Sequence, residues 1–171
     1  PNKLSGQSVI FWVFYVIKYY SNFLLTNNSS HSSKLKDLLT KCDNLEKLSS
    51  PREIVFGHND LLAANFLDDG SKIWIVDWEY GGFNDPLFDI GGLASNNDFD
   101  ENLELEALKL YFNEKPNADL LKKYNAMKTA SLLRETMWSM VSEITSKLDF
   151  DYGEYTSENL KKFNESYERL I

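Results

Sequence analysis

Apolar residues dominate positions 9–25 (VIFWVFYVIKYYSNFLL), with Lys18, Tyr19, Tyr20, Ser21 and Asn22 interrupting the run. Crossing a bilayer takes about 20 mostly apolar residues, so this shorter, interrupted run predicts a buried amphipathic helix instead of a membrane span. A polar stretch, TNNSSHSS at 26–33, predicts a loop. Leu35, Leu38, Leu39, Leu45 and Leu48 then follow helical spacing and predict a second helix ending before Ser49, Ser50 and Pro51. A short β-prone run at 54–56 leads into Gly57, and Phe66-Leu67 and the run 73–76 flank Asp68, Asp69, Gly70 and Ser71, the composition of a tight hairpin. Residues 78–86, with Gly81, Gly82, Asn84, Asp85 and Pro86, predict a loop. Helical patterning returns at 88–95, 101–112, from after Pro116 to about 148, and at 157–171. The expectation is one domain over 1–171, α+β but mostly α, with a small central β-hairpin.

Composition narrows the function. With 171 residues, 43% of them hydrophobic, the chain can bury one real core. Its 18 Lys and Arg against 26 Asp and Glu leave a net charge of −8, which removes the general attraction to phosphate backbones and argues against nucleic acid as a partner. One cysteine, Cys42, cannot close an internal disulfide, and with only two histidines no four-ligand zinc site forms without carboxylates. A reducing, cytoplasmic setting is expected. The chain begins at Pro1 with no secretory pattern, so a piece of a longer product is expected. His31, in a Ser and Asn loop, is expected at the surface, and Cys42 to be a semi-buried thiol, not a nucleophile. The acidic runs at 98–106 and 149–154 suggest solvated faces, the second a possible entrance for a cation.

The strongest chemical signal is His58-Asn59-Asp60-Leu61-Leu62-Ala63-Ala64-Asn65, with Asp77 at the end of the strand expected at 73–76. Phosphoryl transfer needs a carboxylate to accept the proton of the attacking hydroxyl, and oxygen ligands to hold Mg²⁺ on the nucleotide phosphates. Asp60 can be that base, and the hairpin brings Asp77 beside Asn65. The order Asp on a loop, Asn at its end, Asp after the next strand is that of the protein-kinase catalytic and metal-binding segments. The competing reading makes Asp60 and Asn65 turn residues and Asp77 a helix cap.

VFGHNDLLAANFLDDG and IWIVDWEYGGFNDPLFDIGGLASNN resemble the catalytic segment of the choline and ethanolamine kinase family, within the aminoglycoside phosphotransferase-like kinases. The resemblance extends to LLRETMWSMVSEI (132–144) and FDYGEY (150–155). It implies a protein-kinase-like fold in which Asp60 is the catalytic base, His58 orients the catalytic loop and Asp89 braces it. Asn65 and Asp77 would bind Mg²⁺ and, through it, ATP, with Glu79 close to the metal or substrate. Geometry alone leaves Glu79 open between that role and a solvated loop.

A quaternary or protonated ammonium is held by aromatic faces with a carboxylate nearby, and Trp78, Tyr80, Phe83, Trp138 and Tyr152 are the candidates. Trp138 matches a family tryptophan that packs against the choline headgroup. The family's second tryptophan is Glu135 here, and its acidic residue seven after the FDIG aspartate is Asn96. At i−3 from Trp138, Glu135 can face the same pocket and supply a carboxylate. Alternatively Leu133, Met137, Trp138 and Val141 form a core stripe.

Neither a glycine-rich segment nor a strand lysine precedes Asp60. The chain is therefore expected to be the C-terminal helical lobe, with the ATP-binding lobe encoded upstream, and inactive or weakly active alone. The implied function is phosphorylation of the hydroxyl of a small, cationic alcohol, choline or ethanolamine. An aminoglycoside or other small-metabolite kinase, or a non-catalytic remnant lobe, are the alternatives. The sequence leaves the oligomeric state open.

Overall fold

The computed structural model describes residues 9–49 and 53–171. Six helices and four short strands follow one another as α1 (Val13–Thr26), α2 (Leu35–Ser49), β1 (Val55–Gly57), β2 (Phe66–Asp68), β3 (Ile73–Ile75), β4 (Gly82–Asn84), α3 (Pro86–Asn96), α4 (Glu101–Phe112), α5 (Ala118–Thr145) and α6 (Tyr152–Leu170). The molecule is α+β and mostly helical, as the patterning predicts.

Helix α1 buries Val13, Phe14, Ile17, Tyr20, Ser21 and Leu24 and exposes Tyr15 and Tyr19. That stripe is an amphipathic one, and among the described residues no helix is long and apolar enough to cross a membrane. The helix starts later than the run suggests. Residues 9–11 are extended instead, because the amide of Phe11 and the carbonyl of Val9 bond to the carbonyl and amide of Phe83, at 2.9 Å each. The expected loop at 78–86 needs a related correction. Its Gly82–Asn84 segment is β4, antiparallel to β1 in the register Val55↔Asn84, Phe56↔Phe83, Gly57↔Gly82. Glycine and asparagine disfavour strands locally, and only a partner far along the chain overrides that.

The β2–β3 hairpin forms as expected, pairing Phe66 with Ile75. At its turn the Asp69 carboxylate collects the amides of Ser71 and Lys72, both at 2.9 Å. Helix α3 starts at Pro86 behind the N-cap Asp85, whose side chain accepts from the Leu87 amide at 2.8 Å. Helix α5 stops at Thr145, and α6 begins at Tyr152, well before position 157, because Asp151 caps it by accepting from the Glu154 amide at 2.9 Å. Two residues of the acidic runs, Asp100 and Asp151, thus serve as caps. Residues 50–52, where the second helix was to meet Pro51, lie outside the described residues.

Helix α5 is the axis of the core. Its Met127, Ala130, Leu133, Met137 and Met140 are wholly buried, as are Ile17 and Leu24 of α1, Leu45 of α2, Leu87 of α3 and Phe163 of α6. Helix α3 crosses so closely that a Cβ on Gly91 would stand 2.8 Å from the Lys128 Cα. Backbone cannot retreat as a flexible side chain can, so Gly91→Ala is expected to cost about 1–3 kcal/mol, read as a lowered urea midpoint at unchanged m-value. Cys42 is fully buried in the core, and burial pushes its thiol up to about 12, so it offers no thiolate at neutral pH. His31 is only partly exposed. Its Nε2 lies 3.0 Å from a carboxylate oxygen of Glu143, which also accepts from the Thr156 hydroxyl at 2.6 Å, because its loop closes over the seam of α5 and α6.

Candidate active site

The loop after β1 carries His58, Asn59 and Asp60, and four anchors fix its shape. Asp89, on the first turn of α3, accepts from the backbone amides of His58 at 2.7 Å and Asn59 at 2.6 Å. Burial pushes the Asp89 carboxyl above the usual carboxylate range, against the pull of those amides. A Cβ at Gly57 would stand 2.7 Å from the same carboxylate, so only glycine lets it reach the loop. The His58 ring spans the site. Its Nδ1 accepts from the Asp60 amide at 3.3 Å, which leaves Nε2 to donate to the Val76 carbonyl at 2.8 Å.

Asn59 is left-handed, with φ at 65°, and its side-chain amide donates to the Tyr80 carbonyl at 2.9 Å while its oxygen accepts from Asn84 at 3.2 Å. Asn97, at the end of α3, binds the far side of the loop, accepting from the Ala63 amide at 2.8 Å and donating to the Leu61 carbonyl at 3.1 Å.

Asn65 and Asp77 sit at the open end of the hairpin. The Val76 amide donates to the Asn65 carbonyl at 3.0 Å. With its other face held by His58, Val76 sets the backbone of Asp77 beside the loop after β1. Asp77 is also left-handed, with φ at 62°, and exposed; non-glycine residues so held cluster at functional sites. Asn65 donates its Nδ2 to the Asp60 carbonyl at 2.9 Å, and among the described residues its Oδ1 is left without a hydrogen bond. Glu79 lies exposed beyond Asp77. Among the described residues no three His, Cys, Asp or Glu side chains form a ready metal cluster. One carboxylate and one amide oxygen instead suit Mg²⁺, which keeps waters and binds largely through substrate phosphates.

On the other side of Asp60 lies a row of charges that the sequence pattern does not reveal. Arg134 of α5, 3% exposed, donates through Nη2 to Asp60 Oδ1 at 2.9 Å and to the Asn59 carbonyl at 3.2 Å, and through Nη1 to Glu135 Oε2 at 3.1 Å. Glu135 Oε1 accepts from the Tyr155 hydroxyl at 2.9 Å. Aromatic rings in contact with one another border this row as an open aromatic box. Phe150 lies 5.7 Å from Tyr155 and 4.9 Å from Tyr152, Tyr152 lies 6.0 Å from Trp138, and the Tyr80 ring lies 5.7 Å from the Arg134 guanidinium. Tyr20 of α1 is buried within the field of Asp60, Arg134 and Glu135, and burial pushes its hydroxyl up to about 12.

Tyr80, Glu135, Trp138 and Tyr152 are thus linked to Asp60 through Arg134 and the ring contacts, whereas Trp78 and Phe83 stand outside that group. Both pack on Phe56, and Trp78 also lies 4.7 Å from the His58 ring with its indole bonded to the Ile75 carbonyl at 2.9 Å. Trp138 is half-buried, so it packs on the core and keeps part of its face open. Asn59, Asn97, Arg134 and Tyr155 escape a reading of the sequence because each acts through partners distant along the chain. All four nonetheless lie within the segments that carry the family resemblance, Asn59 in HND, Asn97 at the end of GGLASNN, Arg134 in LLRETMWSMVSEI and Tyr155 in FDYGEY, and that resemblance was the available signal.

The sequence profile of the choline/ethanolamine kinase family matches residues 7–102. A probable ethanolamine kinase A of Dictyostelium discoideum is 28% identical over 146 residues, 74% of this chain and 41% of that protein. The ethanolamine kinase of Drosophila melanogaster is 32% identical over 148 residues, 74% of this chain and 28% of its own. The crystal structure of a choline/ethanolamine kinase family protein from Mesorhizobium loti superposes with a TM-score of 0.83 at 26% identity, over 95% of this chain and 55% of that one. A Plasmodium vivax ethanolamine kinase shares the fold, with a TM-score of 0.78 at 20% identity over 99% of this chain and 54% of that one. The chain thus spans about half the length of these solved relatives, and less of the curated ones. With the profile covering more than half of its residues and the loop, hairpin and α3 brace all inside that match, the chain belongs to the choline/ethanolamine kinase family.

Proposed function

We propose that this chain is the base-carrying and acceptor-binding lobe of a cytoplasmic, ATP- and Mg²⁺-dependent kinase that phosphorylates the hydroxyl of a small amino alcohol, choline or ethanolamine. The observation that carries this reading is the position of Asp60. It stands between the Asn65–Asp77 pair, joined to it through His58, Val76 and the Asn65 amide, and the aromatic box with its carboxylate. Asp60, Arg134 and Glu135 together carry one net negative charge in a largely buried setting. A cationic acceptor supplies the missing positive charge there, and aromatic faces add cation–π attraction.

In this reading the box holds the ammonium group and directs the alcohol toward Asp60. Among the described residues only Oδ1 of Asp60 is bonded, so Oδ2 is open to take the hydroxyl proton. As the proton leaves, the acceptor oxygen attacks the γ-phosphorus and the bond to the departing ADP oxygen breaks. Asn65 and Asp77 would hold Mg²⁺, which neutralises charge on the transferring phosphates, and Glu79 is a further oxygen donor within the same loop. His58 and Asp89 keep the loop in its working shape.

The nucleotide-binding lobe would lie outside this chain. Support comes from the β2–β3 hairpin, where Leu67, Ile73, Trp74 and Ile75 are exposed to an extent unusual for strand residues, and from exposed Val9 and Ile10 alongside β4. The chain joined to a nucleotide-binding lobe should transfer the γ-phosphate of ATP to ethanolamine or choline, detected as the phosphate ester by ³¹P NMR. Transfer to an aminoglycoside and to neither amino alcohol would replace this acceptor class, and no transfer at all would leave a remnant lobe.

A further inference from the structure

No step of the proposed reaction passes through Arg134, although its guanidinium meets Asn59, Asp60, Glu135 and the Tyr80 ring. We propose that Arg134 is a positioning residue that clamps the carboxylate of Asp60, turning Oδ2 toward the acceptor hydroxyl. The proposal rests on the reading of Asp60 as the base.

A single Nη2 bridges the Asn59 carbonyl and Asp60 Oδ1, so the guanidinium ties the strained left-handed residue to the carboxylate that follows it. Rotation of Asp60 about its side-chain bonds then breaks a charge-assisted bond. The clamp is itself immobile. Glu135 holds Nη1, Tyr155 holds Glu135, and the Tyr80 ring lies 5.7 Å from the guanidinium. A planar fork held at both ends fixes direction as well as charge, which a lysine cannot do.

Stability alone does not account for the choice of arginine. A whole buried ion-pair row is commonly replaceable by apolar side chains of similar volume without loss, although removing Arg134 by itself would strand Asp60 and Glu135. Arg134 Nε is moreover buried with no hydrogen-bond partner among the described residues, a desolvation cost that leucine or methionine would avoid. Its neighbours along α5, Leu133 and Met137, are such apolar residues.

The test uses the chain joined to its nucleotide-binding lobe, with turnover normalised to the folded fraction. Arg134→Lys keeps the charge and loses the fork. It is expected to lower kcat by about 10–10²-fold, the scale of a misplacement of about 1 Å, with the acceptor KM moving by less than about threefold. Arg134→Met, which leaves Asp60 and Glu135 without their countercharge, is expected to fall at least as far in kcat and to lower the urea midpoint. Unchanged kcat per folded molecule in Arg134→Lys overturns the clamp, whether or not Arg134→Met folds. Asp60→Asn in parallel separates the two failures. If it is inactive while the arginine variants work normally, the clamp alone is wrong; if it too retains full turnover, the base assignment falls as well.

Discussion

Asp60→Asn, in the chain joined to its nucleotide-binding lobe, is expected to reduce kcat by about 10²-fold or more, the usual contribution of a positioned base. Asparagine matches aspartate in shape, and its Oδ1 can still accept from Arg134 Nη2, now 2.9 Å from the carboxylate. Arg134 keeps Glu135, so it is not left as an uncompensated buried charge. The loop amides stay on Asp89, and the Asn65 side chain still binds the backbone carbonyl of residue 60. What disappears is the basicity at Oδ2. A steady-state assay should therefore show lower kcat with the acceptor KM little changed, and circular dichroism should show a folded chain. Turnover within about threefold of the parent would remove Asp60 from the reaction.

Asp89→Ala is expected to have the largest effect on folding among the site residues. Two short bonds end on this carboxylate, and the amides of His58 and Asn59 sit in a buried loop where water cannot replace it. Each buried donor left unpaired costs about 1–3 kcal/mol, which puts the loss near 2–5 kcal/mol in urea unfolding. The same substitution should expose the amides of residues 58 and 59 to hydrogen exchange well before global unfolding. Asp89→Asn keeps one acceptor oxygen but turns an amine toward one of the two donors, so it should recover only part of the loss. A change below about 1 kcal/mol for Asp89→Ala would mean that the loop holds its shape without the brace.

Several parts of this molecule are readable without coordinates because they depend on neighbours close along the chain. Helix periodicity locates α2, α4 and α5, and the Asp-Asp-Gly-Ser run locates the hairpin turn, where Asp69 binds amides only two and three residues away. The motif from His58 to Asn65 is likewise local, its side chain of Asn65 closing on the backbone of Asp60. The start of α6 was missed for a different reason: Asp151 reads as one more member of an acidic run until its side chain is seen capping the helix.

What only tertiary structure decides are contacts between distant segments. Strand β4 looks like a loop because glycine and asparagine gain a strand conformation there solely from pairing with β1 and with the extended residues 9–11. Arg134 looks like one charged position on a long helix until folding brings α5 to within hydrogen-bonding distance of the loop after β1. The aromatic box follows the same logic, since Tyr80, Trp138 and Tyr155 come from three separate elements. Sequence alone thus determined which residues could carry phosphoryl-transfer chemistry, through local spacing and turn preference. Tertiary structure decided how the carboxylate at position 60 is held and which rings border the Arg134–Glu135 pair beside it, because those depend on burial and long-range packing that no local pattern encodes.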